Sequence, residues 1–330
     1  MSGIWTIITG DALTVLRTLD SESVQCCVTS PPYHGLRDYG VAGQLGQEEM
    51  ADCLGWATGV ECGECYICHM VDVFAEVRRV LRKDGVCWLN IGDSYAHYGM
   101  GDSSVGTLQR TNRGALTGKP RKIVGTKPKN LMLIPARLSL ALQADGWYVR
   151  SDIIWHKKAP MPEGVTDRPT RSHEHLYLLS KRAHYYYDAD AVRERNETDW
   201  VRRGGSRLNH TGWNTSAGCN DDSKYAPDDK YANEGTGLTP QVAGRNLRDV
   251  WSLGSFSFRD AHFATFPPEI PERCIKAGTS EYGACPVCAA PYQRVIEKHL
   301  VRGPKGVINP VIDDRDLSAD ENDQGSNRAK

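Results

Sequence analysis

The chain has 330 residues, with 40 Lys and Arg against 41 Asp and Glu, a net charge of -1, and 40% hydrophobic residues. This is the make-up of an ordinary folded protein, large enough for one α/β domain carrying an inserted module or for two domains. The balance excludes a strong global field toward nucleic acid, so any such binding must use local basic clusters. No stretch reads as a signal peptide or a bilayer-length span, and the eleven cysteines point to thiols or metal rather than disulfides.

In chain order, Ile4 to Ile8 is a β-branched run that predicts a strand. Asp11 then precedes a segment, Ala12 to Leu19, whose Leu13, Leu16 and Leu19 have helical spacing. An Asp at that point is a natural N-cap. Val24 to Val28 predicts a buried strand, and Thr29-Ser30-Pro31-Pro32-Tyr33 stops it. Neither proline can donate to a ladder and each fixes its own φ, so the result is a stiff turn at a strand's carboxyl end, where open α/β sheets bind ligands. The Ser30 hydroxyl and the Pro31 carbonyl are acceptors, and Tyr33 offers a flat aromatic face. Two acceptors and a stacking surface suit a planar base with an exocyclic amine. Acceptors on its two N–H bonds favour a pyramidal nitrogen and free the lone pair for attack. Stacking on Tyr33 offsets part of the cost of lifting the base from a duplex.

With these residues in hand, the sequence resembles the amino-group DNA methyltransferases that act on cytosine N4 or adenine N6, in the permuted order that puts the catalytic motif before the cofactor motif. The resemblance implies a Rossmann-like, S-adenosylmethionine-dependent α/β sheet with inserted loops. It implies double-stranded DNA as partner, a cytoplasmic setting in a prokaryote or phage, Ser30, Pro31, Pro32 and Tyr33 as the catalytic corner, and Asp11 and Thr29 beside the cofactor. Ser at position 30 leans toward cytosine N4, since Asp there is commoner in adenine enzymes. Transfer to nitrogen is direct, so no cysteine is catalytic, and Cys26 and Cys27 read as structural strand residues.

The loop after the corner, His34 to Leu45, carries Arg37, a candidate DNA contact or simply solvated surface. Cys62-x-x-Cys65-x-x-Cys68, with Cys53 upstream, has metal-ligand spacing. A Zn²⁺ site on Cys53, Cys62, Cys65 and Cys68 and free thiols at a helix start are the two readings. Val71 to Leu81 predicts an amphipathic helix closed by Asp84-Gly85, followed by a strand, Val86 to Ile91, and the loop Gly92-Asp93-Ser94-Tyr95. Residues 96–129 form a basic loop that includes Lys127. Leu131 to Asp145 predicts a helix, Trp147 to Trp155 and His175 to Ser180 predict strands, and the Arg-containing loop between them offers Arg168, Arg171 and His173 toward DNA. Residues 190–247 lose periodicity and read as a target-recognition insertion or a linker. His262, Phe263, Phe266 and Pro267 precede a helix, Glu269 to Ala277, and the resemblance assigns this segment to one side of the cofactor pocket.

The parts are thus a catalytic portion (1–189), the insertion (190–247), a returning cofactor-side segment (248–284), and a tail (285–330) opened by Cys285-x-x-Cys288, half of a tetrahedral zinc site. The family's Asp-x-Phe-x-Gly-x-Gly turn is not found, and Leu253-Gly254-Ser255-Phe256 lacks the strand-to-helix setting for it. The sheet is therefore expected to lack its glycine-motif strands, and a further segment or a second polypeptide to supply them. A non-catalytic zinc- and DNA-binding remnant is the competing reading, although pure binding does not need the whole Ser-Pro-Pro-Tyr array. A Cys-rich regulator would explain neither diagnostic stretch. By calorimetry the 330-residue chain should bind S-adenosylmethionine weakly or not at all; micromolar binding would contradict this.

Overall fold

The computed structural model describes residues 5–36, 41–96, 125–160, 162–194, 245–254 and 266–293, together with the backbone of 298–302 and 308–312. The chain divides into one unit of Met1–Val192 with Leu247–Tyr292 and a second of Arg193–Asn246 with Gln293–Lys330. In the second unit, Glu194 and Arg245 bridge to each other and strands β6 (Lys298–Arg302) and β7 (Ile308–Ile312) pair antiparallel.

The first unit is built on strands β1 (Val24–Thr29), β2 (Leu81–Ile91), β3 (Tyr148–Lys157), β4 (His173–Ser180) and β5 (Val250–Leu253). Among the described residues they form one sheet in the order β1-β2-β4-β3-β5. β1 runs parallel to β2 and β3 parallel to β5, while β4 is antiparallel to both its neighbours. The carboxyl ends of β1, β2 and β3 and the amino end of β4 therefore meet at one edge. The continuous apolar runs of β2 and β4 mark strands covered on both faces.

Alternation along the strands assigns the faces. Cys87, Leu89, Ile91, Tyr177 and Leu179 join one core with helices α3 (Tyr66–Val80) and α4 (Ile134–Ala144). In α3 the buried positions Tyr66, Met70, Phe74, Val77 and Val80 recur every three or four residues, the stripe that buries a helix on a sheet. Trp88, Leu176, Leu178, Ile153 and Trp155 face the opposite core, closed by α5 (Glu269–Gly278) through Ile270, Cys274 and Ala277. The end of α5 comes so near the sheet that a Cβ on Gly278 would lie 2.8 Å from both Cys26 Sγ and Val86 Cγ2.

Several elements differ from the sequence expectation. Residues 5–8 form no strand, and Trp5 and Ile7 are largely exposed. A strand needs a neighbour, and no described strand pairs with the outer edge of β1. Helix α1 (Ala12–Thr18) forms, but none of its residues is fully buried. It is held instead by Arg79 of α3, whose guanidinium donates to the Leu16 and Leu19 carbonyls at 2.8 and 3.0 Å. Helix α3 begins five residues earlier than the apolar pattern suggests, because Cys65 caps it. It runs directly into β2 at Leu81, so Asp84-Gly85 lies within the strand, where the pairing with β1 shifts register, and does not close the helix. Helix α4 starts at Ile134 rather than Leu131, with Leu133 left-handed at its N-cap and Leu131 bridged to Tyr95. In α5, Ile275 is about half exposed, and Ala277 and Gly278 are buried in its place. The four-residue β5 was not anticipated; it ends next to Gly254.

Candidate active site at the carboxyl edge of the sheet

Thr29 is the last residue of β1, and Ser30-Pro31-Pro32-Tyr33 turns out over the edge, each residue half-buried. Two hydrogen bonds pin this corner from opposite sides. From α3, the buried Tyr66 hydroxyl donates to the Pro32 carbonyl at 2.8 Å. From the sheet, the Tyr33 hydroxyl donates to Glu174 Oε2 at 2.6 Å. The Tyr33 oxygen accepts from Asn90 Nδ2 at 2.7 Å and from Ser30 Oγ at 3.2 Å. Asn90 Nδ2 also donates to Glu174 Oε2 at 2.9 Å, and Lys157 Nζ donates to Glu174 Oε1 at 2.5 Å.

Four adjacent strands contribute to this network. Tyr33 follows β1, Asn90 is next to last in β2, Glu174 is second in β4, and Lys157 ends β3. Asn90, Glu174 and Lys157 fall on one face because each is an even number of residues from an inward Trp or Leu of its own strand, namely Trp88, Leu176 and Trp155. Gly92 completes the fit, since a Cβ there would stand 2.8 Å from Cε2 of the Tyr33 ring.

The electrostatics follow from the partners. Burial opposes ionisation of Glu174, but the Lys157 charge and the hydrogen bonds from Lys157, Tyr33 and Asn90 outweigh it and hold the carboxyl below its ordinary value. Burial, and then the Glu174 charge, push the Tyr33 hydroxyl well up, so it stays protonated as the donor. Asn90 Oδ1 is buried with no partner among the described residues, an acceptor left at the edge of the corner. Burial, with Cys27 beside it, pushes Cys26 up to about 12, in keeping with a structural thiol.

The other candidate residues divide clearly. Asp11 is the N-cap of α1 and accepts from Thr14 N and Oγ1, each at 2.8 Å, so the capping expectation is met and its carboxylate remains exposed. Phe266 is half-buried against the core that α5 closes, with Pro267 buried next to it. Phe266 is an apolar group and Asp11 an exposed anion, the kinds of group an S-adenosylmethionine site uses; no glycine-rich strand-to-helix turn occurs among the described residues. His262, Phe263 and Arg37 lie outside the described residues. Lys127 and His173 are exposed. Arg168 pairs with Glu163 at 2.5 Å and sits 3.9 Å over the Tyr95 ring, and Arg171 donates to the Asp93 carbonyl, so both guanidiniums already tie the loop before β4 to the loop after β2. Cys53, Cys62, Cys65 and Cys68 converge, their sulfurs all within 4.8 Å of one another. Cys285 and Cys288 share a tight turn, with Ala289 N on the Cys285 carbonyl at 2.7 Å, but no third ligand joins them among the described residues.

Sequence reasoning missed Asn90, Glu174 and Tyr66. The usable signal was a polar residue on the otherwise apolar face of a buried strand: Asn90 interrupts Val86 to Ile91, and Glu174 stands two residues before Leu176.

Comparison with known proteins identifies the family. The profile of the N6/N4 amino-group enzymes, described as DNA methylase, matches residues 24–285, and the chain belongs to that family. Type II methyltransferase M.XycI of Xanthomonas campestris pv. cyanopsidis is 42% identical over 275 residues, which is 83% of this chain and 72% of its own length. Type II methyltransferase M.SmaI of Serratia marcescens is 35% identical over 325 residues, 98% of this chain and 89% of its own. A solved PvuII DNA methyltransferase (cytosine-N4-specific) superposes with a TM-score of 0.45 at 14% identity, covering 82% of this chain and 69% of that one. The protein is a Type II DNA methyltransferase of the N6/N4 family, with an α/β methyltransferase sheet and S-adenosylmethionine as methyl donor.

Because the folded value of Glu174 lies below the ordinary 4.5, its ionised form contributes stability that is complete above that value and is lost as pH falls through the folded value. Glu174→Gln should cost about 1–3 kcal/mol at pH 7. It should also flatten the acid limb of a urea-unfolding series between neutral and acidic pH. An unchanged acid limb in the variant would contradict the assignment.

Proposed function

We propose that the chain methylates the N4 amine of a cytosine turned out of duplex DNA, with Ser30, Pro31, Pro32 and Tyr33 as the corner that receives it. One observation carries this reading: Ser30 and Tyr33 stand half-buried at the carboxyl edge, with the Tyr33 hydroxyl fixed by Glu174 and Asn90. A tyrosine held by its hydroxyl spends little further entropy when a base stacks on it, and stacking offsets part of the flipping cost of a few kcal/mol. Ser30 Oγ and the Pro31 carbonyl accept the two N–H bonds of the amine, which localises its lone pair on nitrogen. The Pro32 carbonyl is taken by Tyr66, so it orients the turn and leaves the Pro31 carbonyl for the base. Asn90 Oδ1, without a partner among the described residues, is a further acceptor within the same cluster.

Bound S-adenosylmethionine supplies a sulfonium methyl, the electrophile for the amine. Asp11, Thr29, Phe266 and Pro267 would hold it, and the family resemblance adds His262 and Phe263, which lie outside the described residues. The amine nitrogen would gain the methyl as the sulfur–methyl bond breaks, and it would give up one proton to solvent. No residue of the corner needs to form a covalent bond to the base. Serine at position 30 leans toward cytosine N4 over adenine N6 because, as the family resemblance implies, Asp is commoner there in adenine enzymes. The exposed Lys127 and His173 are candidate DNA contacts, as is Arg37 outside the described residues, with Arg168 and Arg171 shaping the loop beside the site.

DNA from cells expressing the enzyme, digested to nucleosides and resolved by mass, should contain N4-methylcytosine absent from a Ser30→Ala control. N6-methyladenine in its place would refute the cytosine assignment.

A further inference from the structure

Four thiols spread between positions 53 and 68 reach one point at the start of α3, the helix that carries Tyr66. Cys68 Sγ lies 3.6 Å from Cys53 Sγ, 4.0 Å from Cys62 Sγ and 3.4 Å from Cys65 Sγ. A tetrahedral zinc ion with Zn–S bonds of about 2.3 Å separates its sulfurs by about 3.8 Å. The observed separations straddle that edge length, so an ion fits at the centre with small adjustments.

The backbone around the sulfurs is also arranged for negative charge. Gly55 N donates to Cys53 Sγ at 3.3 Å, Glu64 N to Cys62 Sγ at 3.4 Å, and Cys68 N to Cys65 Sγ at 3.5 Å. Amide donors on three of four sulfurs stabilise thiolates, which a purely apolar packing of thiols does not need. Gly63, at a φ of +72°, turns the chain between Cys62 and Cys65 so that both sulfurs point the same way. Helix α2 (Gly55–Thr58) is anchored by Trp56, half-buried against the main core, but the loop from Gly59 to Glu64 that carries Cys62 is exposed throughout, so packing alone gives that loop little reason to stay closed.

We propose that Cys53, Cys62, Cys65 and Cys68 bind one structural Zn²⁺ ion. On binding, the four thiols release four protons to solvent and the ion takes four thiolate sulfurs, which leaves no open position for chemistry. The ion ties the 53–62 segment to the first turn of α3. That turn carries Tyr66, whose hydroxyl holds the Pro32 carbonyl, and His69, whose Nδ1 meets Glu48 Oε1 at 2.9 Å. The site is thus a brace for the corner rather than part of it, and its existence does not depend on which base is methylated.

The test is metal content. Chain purified from zinc-supplemented cells and dialysed without chelator should hold one zinc per chain by elemental analysis. Cys62→Ser, which changes an exposed thiol, should lose most of it, and Cys288→Ser should keep it. Cobalt exchanged into the wild type should give the intense charge-transfer absorption of thiolate ligation. In case Cys62→Ser folds poorly, a strong chelator applied to the wild type should release one zinc together with four newly reactive thiols. Chain without zinc, zinc retained by Cys62→Ser but lost from Cys288→Ser, or the four cysteines isolated as disulfides would each overturn the proposal.

Discussion

The Glu174 carboxylate is the constraint on which the rest of the site rests. It lies at the meeting point of four strands, and each of its oxygens is committed, one to Lys157 and the other to Tyr33 and Asn90. A buried carboxylate without such partners would take up a proton or leave the site. Here the cation from β3 offsets the desolvation, and the neutral donors from the β1 corner and β2 complete the shell. The same bonds that satisfy Glu174 therefore set the position of Tyr33. Stability and site geometry are one problem at this edge, since loosening the carboxylate loosens the ring that would receive the base.

The sheet order explains why these residues can meet at all. In an all-parallel arrangement the amino end of β4 would lie at the far edge of the sheet. Because β4 runs against β2 and β3, its first residues come to the carboxyl ends of both. Glu174 then faces Lys157 on one side and Asn90 on the other. The proline corner needs no partner strand of its own, as it is held by side chains rather than by a ladder. Tyr66 does the same work from the helical layer, so the corner is fixed between the sheet and α3.

The local features were the legible ones. The strand before Thr29, the rigid turn, the apolar stripe of α3 from Val71 onward and the spacing of the first cysteine group all depend on neighbours in sequence, and each can be read from composition and period. What escaped depends on distance along the chain. Tyr33 and Glu174 are 141 residues apart, and Asn90 and Glu174 are 84 apart, so no window contains the pairing. Arg79 likewise reads as an outward helix charge, yet it serves the end of α1, and Arg168 and Arg171 read as free cations although internal partners hold both. The expected strand at Ile4 to Ile8 failed for the opposite reason. Its propensity was sound, but a strand is a property of a pair, and β1 offers its outer edge to no described neighbour.

The most direct measurement is a double-mutant cycle between Tyr33→Phe and Glu174→Gln, read by urea unfolding of the whole chain at neutral pH. If the hydroxyl–carboxylate bond holds the corner, the two changes should be coupled by about 1.5–3 kcal/mol, the range for a hydrogen bond to a charged group. Effects that add to within about 0.5 kcal/mol would mean the two residues are neighbours without being joined, and the account of the site would not survive.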